Sequence, residues 1–266
     1  MSRLWTPSPL LKTSLAVHAG AVIGSTLLPN AWPWALGSLA LNHGVITLAG
    51  LLPRAKWLGP NITRLDDFSM RRRSVAITID DGPDPQVTPK VLDILDAAGV
   101  KATFFCIGQR AKQAPALCRR IVECGHRVEN HGYAHSNVFS LFGPKRMRSD
   151  IQAAQACLSD ITGQSPRYFR PTAGLRNPFL EPVLAELDLH LVTWTRRPFD
   201  TIESNSNVVK RRLLNGLGPG DILLLHDGHV ARDAKGQPVI FSVLPDLLEH
   251  IQSQRLYPIT LTAAFT

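Results

Sequence analysis

Two adjacent carboxylates, Asp80 and Asp81, follow a run of β-forming residues at 75–79 and directly precede Gly82-Pro83. Neighbouring anions repel, so one of them is expected to titrate unusually high unless a cation lies nearby. A divalent metal would resolve this conflict, because one aspartate can ligate it while the other acts as a base beside it. The alternative is a pair of strand-end aspartates that cap the turn.

A second signal is the stretch "ENHGYAHSN", in which His131 and His135 are four residues apart. On a helical turn this spacing places both imidazoles on one face, within reach of one metal ion. Together with an aspartate they form a ligand set typical of hydrolytic zinc sites. Two histidines at this spacing also occur by coincidence on surfaces, and the upstream aspartate pair favours the metal interpretation.

Three later segments carry further candidates. Arg170 enters a proline–glycine turn, which can direct backbone N–H groups at an oxyanion or be an ordinary loop with a surface arginine. Asp200 can orient a histidine or cap a helix. His226 ends the apolar run "ILLLHDG" and is a candidate general acid, or else a turn histidine. Asp227 and His229 are interpreted as local turn residues.

These residues must be positioned by an alternation of strands and helices that begins at residue 74. Such alternation predicts a parallel sheet with crossover helices, and most of the candidate residues lie at or just after strand ends. The predicted strands are 75–79, 101–108, 126–131, 167–171, 190–195, 221–227 and 257–262, and the predicted helices are 87–98, 111–124, 144–162, 177–189, 207–215 and 242–254.

The bulk composition indicates a folded, basic protein. The 266 residues are 44% hydrophobic and 19% charged, which excludes global disorder. The net charge of +8 suits an anionic membrane surface or acidic substrates. Nucleic acid is not expected as a partner, because no basic stripe interleaved with aromatic residues occurs. The four cysteines form no CxxC pair and are interpreted as free thiols.

The first sixty residues differ from the remainder and are assigned as a separate, membrane-associated segment, 1–60. No acidic residue precedes Asp66, and two apolar runs at 13–28 and 34–52 are separated by a proline-rich turn. Each run approaches the ~20 residues that cross a bilayer. A signal peptide, a single anchor, a two-helix hairpin and a helical segment packed on the catalytic domain all remain open. Basic residues flank both ends of residues 10–52 and none lies in the turn, which favours a hairpin with both ends cytoplasmic.

The ordered motifs resemble those of the polysaccharide deacetylase family, the NodB-homology group or carbohydrate esterase family 4. The resemblance covers about residues 70–262, and the catalytic domain is assigned to 70–266. The matching stretches are Thr78-Ile79-Asp80-Asp81-Gly82-Pro83, His131-x-x-x-His135, Arg170-Pro171-x-x-Gly174, Asp200 and Leu224-Leu225-His226. One such motif is weak, whereas five in this order are specific.

The resemblance implies a distorted (β/α) barrel of about seven parallel strands that removes an N-acyl group from an amino sugar. It implies one divalent metal, Zn²⁺ first and Co²⁺, Mn²⁺ or Ni²⁺ as alternatives. The substrate would be a polysaccharide, a glycolipid or a lipid-linked sugar, and the expected location is the bacterial inner membrane, with the cytoplasmic face favoured. The alternative function is a non-catalytic glycan-binding protein on the same fold. The resemblance implies that Asp81, His131 and His135 ligate the metal. It implies that Asp80, held by Arg170, is the base and that His226, oriented by Asp200, is the acid. The Ala173 N–H would contact the oxyanion.

The sequence departs from the family pattern at three places. Gly132 stands where the family usually has Ser or Thr, which removes a hydroxyl that supports the loop. Thr172-Ala173 and Thr201 replace usual proline and aromatic positions. We therefore expect a remodelled sugar groove with fewer aromatic walls, and the five chemical side chains are retained.

Overall fold

The structure is a computed structural model, and it describes residues 3–265. Seven strands alternate with helices from residue 74 onward, as the sequence predicts. The strands are β1 (Ser74–Asp80), β2 (Thr103–Cys106), β3 (Arg127–Asn130), β4 (Tyr168–Phe169), β5 (His190–Leu191), β6 (Ile222–His226) and β7 (Tyr257–Pro258). The α-helices are α1 (Pro9–Leu27), α2 (Trp32–Leu51), α3 (Asp67–Arg71), α4 (Thr88–Ala97), α5 (Gly108–Gln113), α6 (Pro115–Glu123), α7 (Pro144–Thr162), α8 (Leu180–Glu186), α9 (Ser206–Leu214), α10 (Ile240–Ser253) and α11 (Leu261–Ala264).

The strands form one curled parallel sheet in the order β5-β4-β3-β2-β1-β6, with β7 pairing the start of β1. This arrangement confirms the predicted α/β class and the distorted barrel of seven parallel strands. Strand β1 lies between β2 and β6, and its register aligns Asp80 with both Phe105 and His226. The last residues of the neighbouring strands therefore meet at one edge of the sheet, where the polar candidates were predicted.

The two faces of β1 explain why its side chains alternate in role. Val75, Ile77 and Ile79 point into the main core, which is packed beneath α4, α9 and α10. Thr78 and Asp80 alternate with them and belong to the opposite, interior face. Because all seven residues of β1 are buried, the polar members of the interior face need partners inside the barrel.

Element boundaries differ from the sequence prediction in several elements, and residues 261–262, predicted as the end of the last strand, belong to the helix α11. The helix predicted at 111–124 is two helices, because Pro115 lacks the N–H that would continue the turn through Ala114. The strands β4, β5 and β7 are two residues long, since the chain leaves the sheet soon after each one begins pairing.

Helices α1 and α2 form an antiparallel hairpin joined by a short 3₁₀ turn at Pro29–Ala31. They have 19 and 20 residues, and only 11% and 17% of their most apolar windows are buried in the protein. Polar contacts join the two helices, since Asn42 Nδ2 donates to Ser14 Oγ at 2.9 Å and the rings of His18 and His43 pack edge to face. The hairpin is therefore apolar and largely exposed, and it does not pack over the core along its length. Residues 1–2 of the predicted segment 1–60 lie outside the described residues.

Both ends of the hairpin are fixed to the catalytic domain. Before α1, the guanidinium of Arg3 pairs with the buried carboxylate of Glu181 at 2.8 Å. After α2, the Gly50 carbonyl accepts the Arg176 N–H at 3.1 Å. The hairpin thus leaves the domain and returns to it at one side of the barrel.

Candidate active site

A cavity of about 600 Å³ opens at the carboxyl edge of the sheet. Six of the predicted site residues line this cavity: Asp80, Asp81, His131, His135, Ala173 and His226. The other two, Arg170 and Asp200, are fully buried behind it.

Asp81 is the centre of the polar cluster. It follows β1 with a left-handed backbone (φ 75°), which turns its carboxylate away from the strand direction. Its Oδ1 lies 3.1 Å from His131 Nε2 and 3.0 Å from His135 Nε2. Burial alone would raise the pKa of Asp81, but the imidazoles around it hold that pKa well below its usual range. The carboxylate is therefore ionised at any physiological pH.

His131 is held in one orientation by the strand behind it. Its Nδ1 lies 2.7 Å from the Arg170 carbonyl oxygen, so Nδ1 carries the proton and donates. Nε2 then faces Asp81 Oδ1, a buried oxygen with no further hydrogen-bond partner among the described residues. A carboxylate oxygen and an imidazole nitrogen are both metal-ligating atoms, and a cation bound by the two would satisfy both. The donor set therefore fits a divalent metal.

The loop that carries the two histidines is not helical, so the predicted reason for their convergence is wrong. Gly132 (φ 78°) and His135 (φ 49°) both adopt left-handed backbone, and the loop folds back on itself. Asp150 on α7 holds it, because its carboxylate oxygens accept the N–H groups of Tyr133 and Ala134 at 3.0 and 3.1 Å. A side chain at 132 would collide with this carboxylate. Asp150 thus supports the loop at the place where the sequence lacks a hydroxyl.

His229 is a cluster member that the sequence analysis assigned to a local turn. Its Nδ1 lies 3.1 Å from Asp81 Oδ2, and its ring stacks on that of His135. The ligand atoms of Asp81, His135 and His229 all lie within 4.8 Å of one another. The signal that could have identified His229 is its position three residues after His226, in the loop that leaves the neighbouring strand.

Asp80 has a buried cationic partner. Arg170 Nη1 donates to Asp80 Oδ1 at 2.6 Å, and Asp80 Oδ2 lies 3.8 Å from His131 Nε2. Three further donors of Arg170 contact Thr78 Oγ1 and the carbonyls of Val192 and Thr193, which hold the guanidinium in place. The pairing therefore holds the Asp80 side chain at the cavity wall.

His226 and Asp200 form a second buried pair. The ring Nδ1 lies 2.7 Å from Asp200 Oδ1, and the backbone N–H of His226 donates to Asp200 Oδ2 at 2.9 Å. Burial lowers the pKa of His226, but the charge and hydrogen bond of Asp200 outweigh it and raise that pKa to about 9. At neutral pH the ring is protonated, and its Nε2–H is free to donate.

Ala173 lies in a 3₁₀ turn over 172–174 with left-handed backbone (φ 55°). Among the described residues its N–H meets no acceptor, whereas the next two N–H groups, those of Gly174 and Leu175, donate to the carbonyls of Pro171 and Thr172. The cavity also contains an apolar wall that the sequence analysis did not assign, supplied by the buried Trp194 and by Leu224. The expected loss of aromatic surface is therefore offset by Trp194.

Comparison with known proteins agrees with this geometry. Residues 68–192 match the family described as Polysaccharide deacetylase. A chitooligosaccharide deacetylase of Azorhizobium caulinodans is 35% identical over 162 residues, which cover 60% of this chain and 77% of that protein. The chain belongs to the polysaccharide deacetylase family, whose members act on N-acetyl groups of amino sugars in glycans.

Two further relatives define the limits of that assignment. A peptidoglycan-N-acetylglucosamine deacetylase of Listeria monocytogenes is 32% identical over 185 residues, 70% of this chain but only 39% of that protein. The crystal structure of a CE4 family pseudoenzyme from Bacillus anthracis superposes with a TM-score of 0.69 at 22% identity, over 78% of this chain and 69% of that one. The fold therefore does not decide catalysis, and the site residues must carry the functional assignment.

Proposed function

We propose that this protein is a metal-dependent hydrolase that removes an N-acyl group, N-acetyl in the first instance, from an amino sugar. The observation that carries the proposal is one cavity that holds the Asp81–histidine cluster together with the Asp80–Arg170 and His226–Asp200 pairs. These side chains are the base, the acid and the ligand set that amide hydrolysis requires.

The metal would be held by Asp81, His131 and His135, with His229 as a further donor beside Asp81. Imidazole and carboxylate donors suit Zn²⁺, and Co²⁺, Mn²⁺ and Ni²⁺ accept the same set. When bound, the ion supplies Lewis-acid polarisation of the acyl oxygen and acidifies a water molecule. Asp227 is not assigned a ligand role, because the Thr88 hydroxyl donates to its carboxylate at 2.5 Å behind the cluster.

The protein's own residues then move the protons. Asp80, oriented by Arg170, removes a proton from the attacking water. The Ala173 N–H donates to the oxyanion that forms at the acyl carbon. His226 gives its Nε2 proton to the departing amine, and Asp200 keeps the ring aligned and charged while it does so. Trp194 bounds the space for the sugar and acyl group.

We further propose that the hairpin attaches the enzyme to a membrane. Each helix is ~30 Å long, which equals the hydrocarbon thickness of a bilayer. Apolar side chains are largely exposed along the hairpin and at its turn, including Leu27, Trp32 and Trp34 at 73%, 58% and 82%. Arg3, Lys12 and Arg54 lie at the domain end, so the domain is placed on the cytoplasmic face of the inner membrane.

Substitution of the two aspartates tests the hydrolase. Asp80→Asn should reduce acetate release from N-acetylglucosamine oligomers by at least ~10²-fold while one metal ion per chain is retained, because it removes a base and not a ligand. Asp81→Asn should lose both the metal and the activity. Metal content is measured by elemental analysis and turnover by acetate detection.

The rival, a glycan-binding protein without catalysis, predicts a different result. Wild-type protein loaded with Zn²⁺ would then bind the oligomers and release no acetate, and Asp80→Asn would change nothing. That outcome would refute the hydrolase and leave the family assignment intact.

A further inference from the structure

A second cavity lies where the hairpin meets the catalytic cavity. It has a volume of about 540 Å³ and shares Trp194 and Arg197 with the catalytic cavity. Its other wall is the chain that leaves α2, at residues 52–57. Pro53 is packed against the oxyanion turn, because a Cβ on Gly174 would lie 2.7 Å from Pro53 Cβ. The two cavities are therefore adjacent, and the second one lies where the chain leaves the hairpin.

The polar lining of this second cavity is cationic. Its charged residues are Arg54 and Arg197, and no carboxylate lines it within the described part of the chain. Arg54 contacts the Thr195 carbonyl at 3.1 Å, which leaves its charge without an acidic partner there. Such a cavity is complementary to an anion.

Arg197 is the more informative of the two arginines. Its guanidinium carbon lies 5.3 Å from the ring centre of Trp194 and 4.7 Å from that of Phe199. Its Nε is buried and has no acceptor, and the nearest acids, Asp200 and Asp80, are already bonded to His226 and Arg170. Two aromatic rings thus hold an arginine that forms no salt bridge with a carboxylate within the described residues. An anionic ligand in the cavity would supply the missing acceptor.

The apolar lining indicates what the anion is attached to. Leu52, Trp57 and Phe199 are 42%, 50% and 40% exposed around the same cavity. They lie at the domain end of the hairpin, where the proposed membrane surface would be. An anion bound here can therefore continue into an acyl or prenyl chain that enters the bilayer.

We infer that this cavity binds the phosphate of a lipid-linked amino sugar, with Arg54 and Arg197 on the phosphate and the sugar in the catalytic cavity. The lipid chain then lies along Leu52 and Trp57 toward the membrane. The inference rests on the proposed function, because it names the substrate class of the same site.

The direct test is a binding measurement on the full-length protein in detergent. Farnesyl phosphate, farnesol and inorganic phosphate are titrated into protein in which Trp5, Trp32 and Trp34 are replaced by Phe, so that the fluorescence reports Trp57 and Trp194. Farnesyl phosphate should bind at least ~10-fold more tightly than either of the other probes, since only it satisfies both the arginines and the apolar wall. The double variant Arg54→Gln, Arg197→Gln should lose this preference.

A matched double variant, Arg119→Gln, Arg211→Gln, removes the same charge from exposed helix positions and should retain the preference. Equal binding of the three probes, or an unchanged preference in the Arg54→Gln, Arg197→Gln protein, would overturn the inference. Acetate release from a soluble N-acetylglucosamine oligomer reports the proposed function separately. Release without phosphate-lipid preference refutes the subsite alone, and preference without release leaves the subsite in place.

Discussion

His226 depends on Asp200 for its charge. Burial opposes protonation of the ring, and the pKa of about 9 exists because Asp200 outweighs burial, with help from Asp81 and Asp80. If His226 donates the proton to the leaving amine, kcat/KM should fall as pH rises through about 9. In Asp200→Asn the largest cause that raises the pKa is gone, so the alkaline limb should shift to lower pH and the rate at pH 8 should drop ~10-fold or more.

The pH–rate profiles of wild type and Asp200→Asn check this expectation. Asp96→Asn serves as the control, because Asp96 is an exposed residue of α4 that does not line the cavity. An Asp200→Asn profile that is lower at every pH but has an unmoved alkaline limb would contradict the role of Asp200 in charging His226.

Glu129 makes a separate prediction about stability. Burial raises its pKa from 4.5 to about 7, although the N–H groups of Tyr168 and Arg167 donate to Oε2 and oppose the shift. Because the folded state holds the proton more tightly, this group contributes stability below pH ~4.5 that is lost as pH rises through 7. Glu129→Gln should therefore be more stable than wild type at pH 8, by up to ~3 kcal/mol, and nearly equal at pH 4.5.

Urea unfolding of both proteins at the two pH values measures that difference. Glu249→Gln, at an exposed position of α10, controls for the loss of one carboxylate. A Glu129→Gln protein that gains no stability relative to wild type between pH 4.5 and 8 would show that Glu129 is not a buried, raised-pKa carboxyl.

At the scale of elements, the ligand loop is positioned by a helix remote in sequence. Asp150 on α7 accepts the N–H groups of Tyr133 and Ala134, which lie between the two histidines. Asp150→Ala should leave all ligands in place but let the loop relax, and it should weaken metal affinity ~10–100-fold. A chelator competition titration gives the affinity. Asp160→Ala, at an exposed position of the same helix, should bind metal like wild type.

The residues around the cavity show which parts of the site the sequence could predict and which it could not. The ends of β1 and β6 were predictable, because apolar runs that end in Asp80 and His226 indicate buried strands and an active edge. The role of Asp150 was not, since it depends on how α7 packs against β3. His229 was missed for a similar reason, because its approach to Asp81 follows from the pairing of β1 with β6.

At the scale of the whole molecule, the hairpin and the catalytic cavity are connected by one packing contact. The chain that leaves the hairpin packs on the turn that lines the catalytic cavity, through Pro53 and Gly174. The cavity therefore faces the side of the domain from which the hairpin projects. If the hairpin attaches the enzyme to a membrane, as proposed, the enzyme can act on a sugar held close to that membrane while it stays attached.

The predicted membrane topology follows from the contact between the hairpin and the cavity and from the basic residues at the domain end of the hairpin. If the hairpin spans the inner membrane, its turn lies on the outer face and the domain on the cytoplasmic face. Asn30→Cys, in the turn, should then react with a membrane-impermeant maleimide added to intact spheroplasts, and Ser165→Cys, on the domain, should react only after lysis. The four native cysteines all lie in the domain and give the background labelling. Labelling of both positions before lysis would place the domain outside, and labelling of neither would show that the hairpin does not reach the outer face.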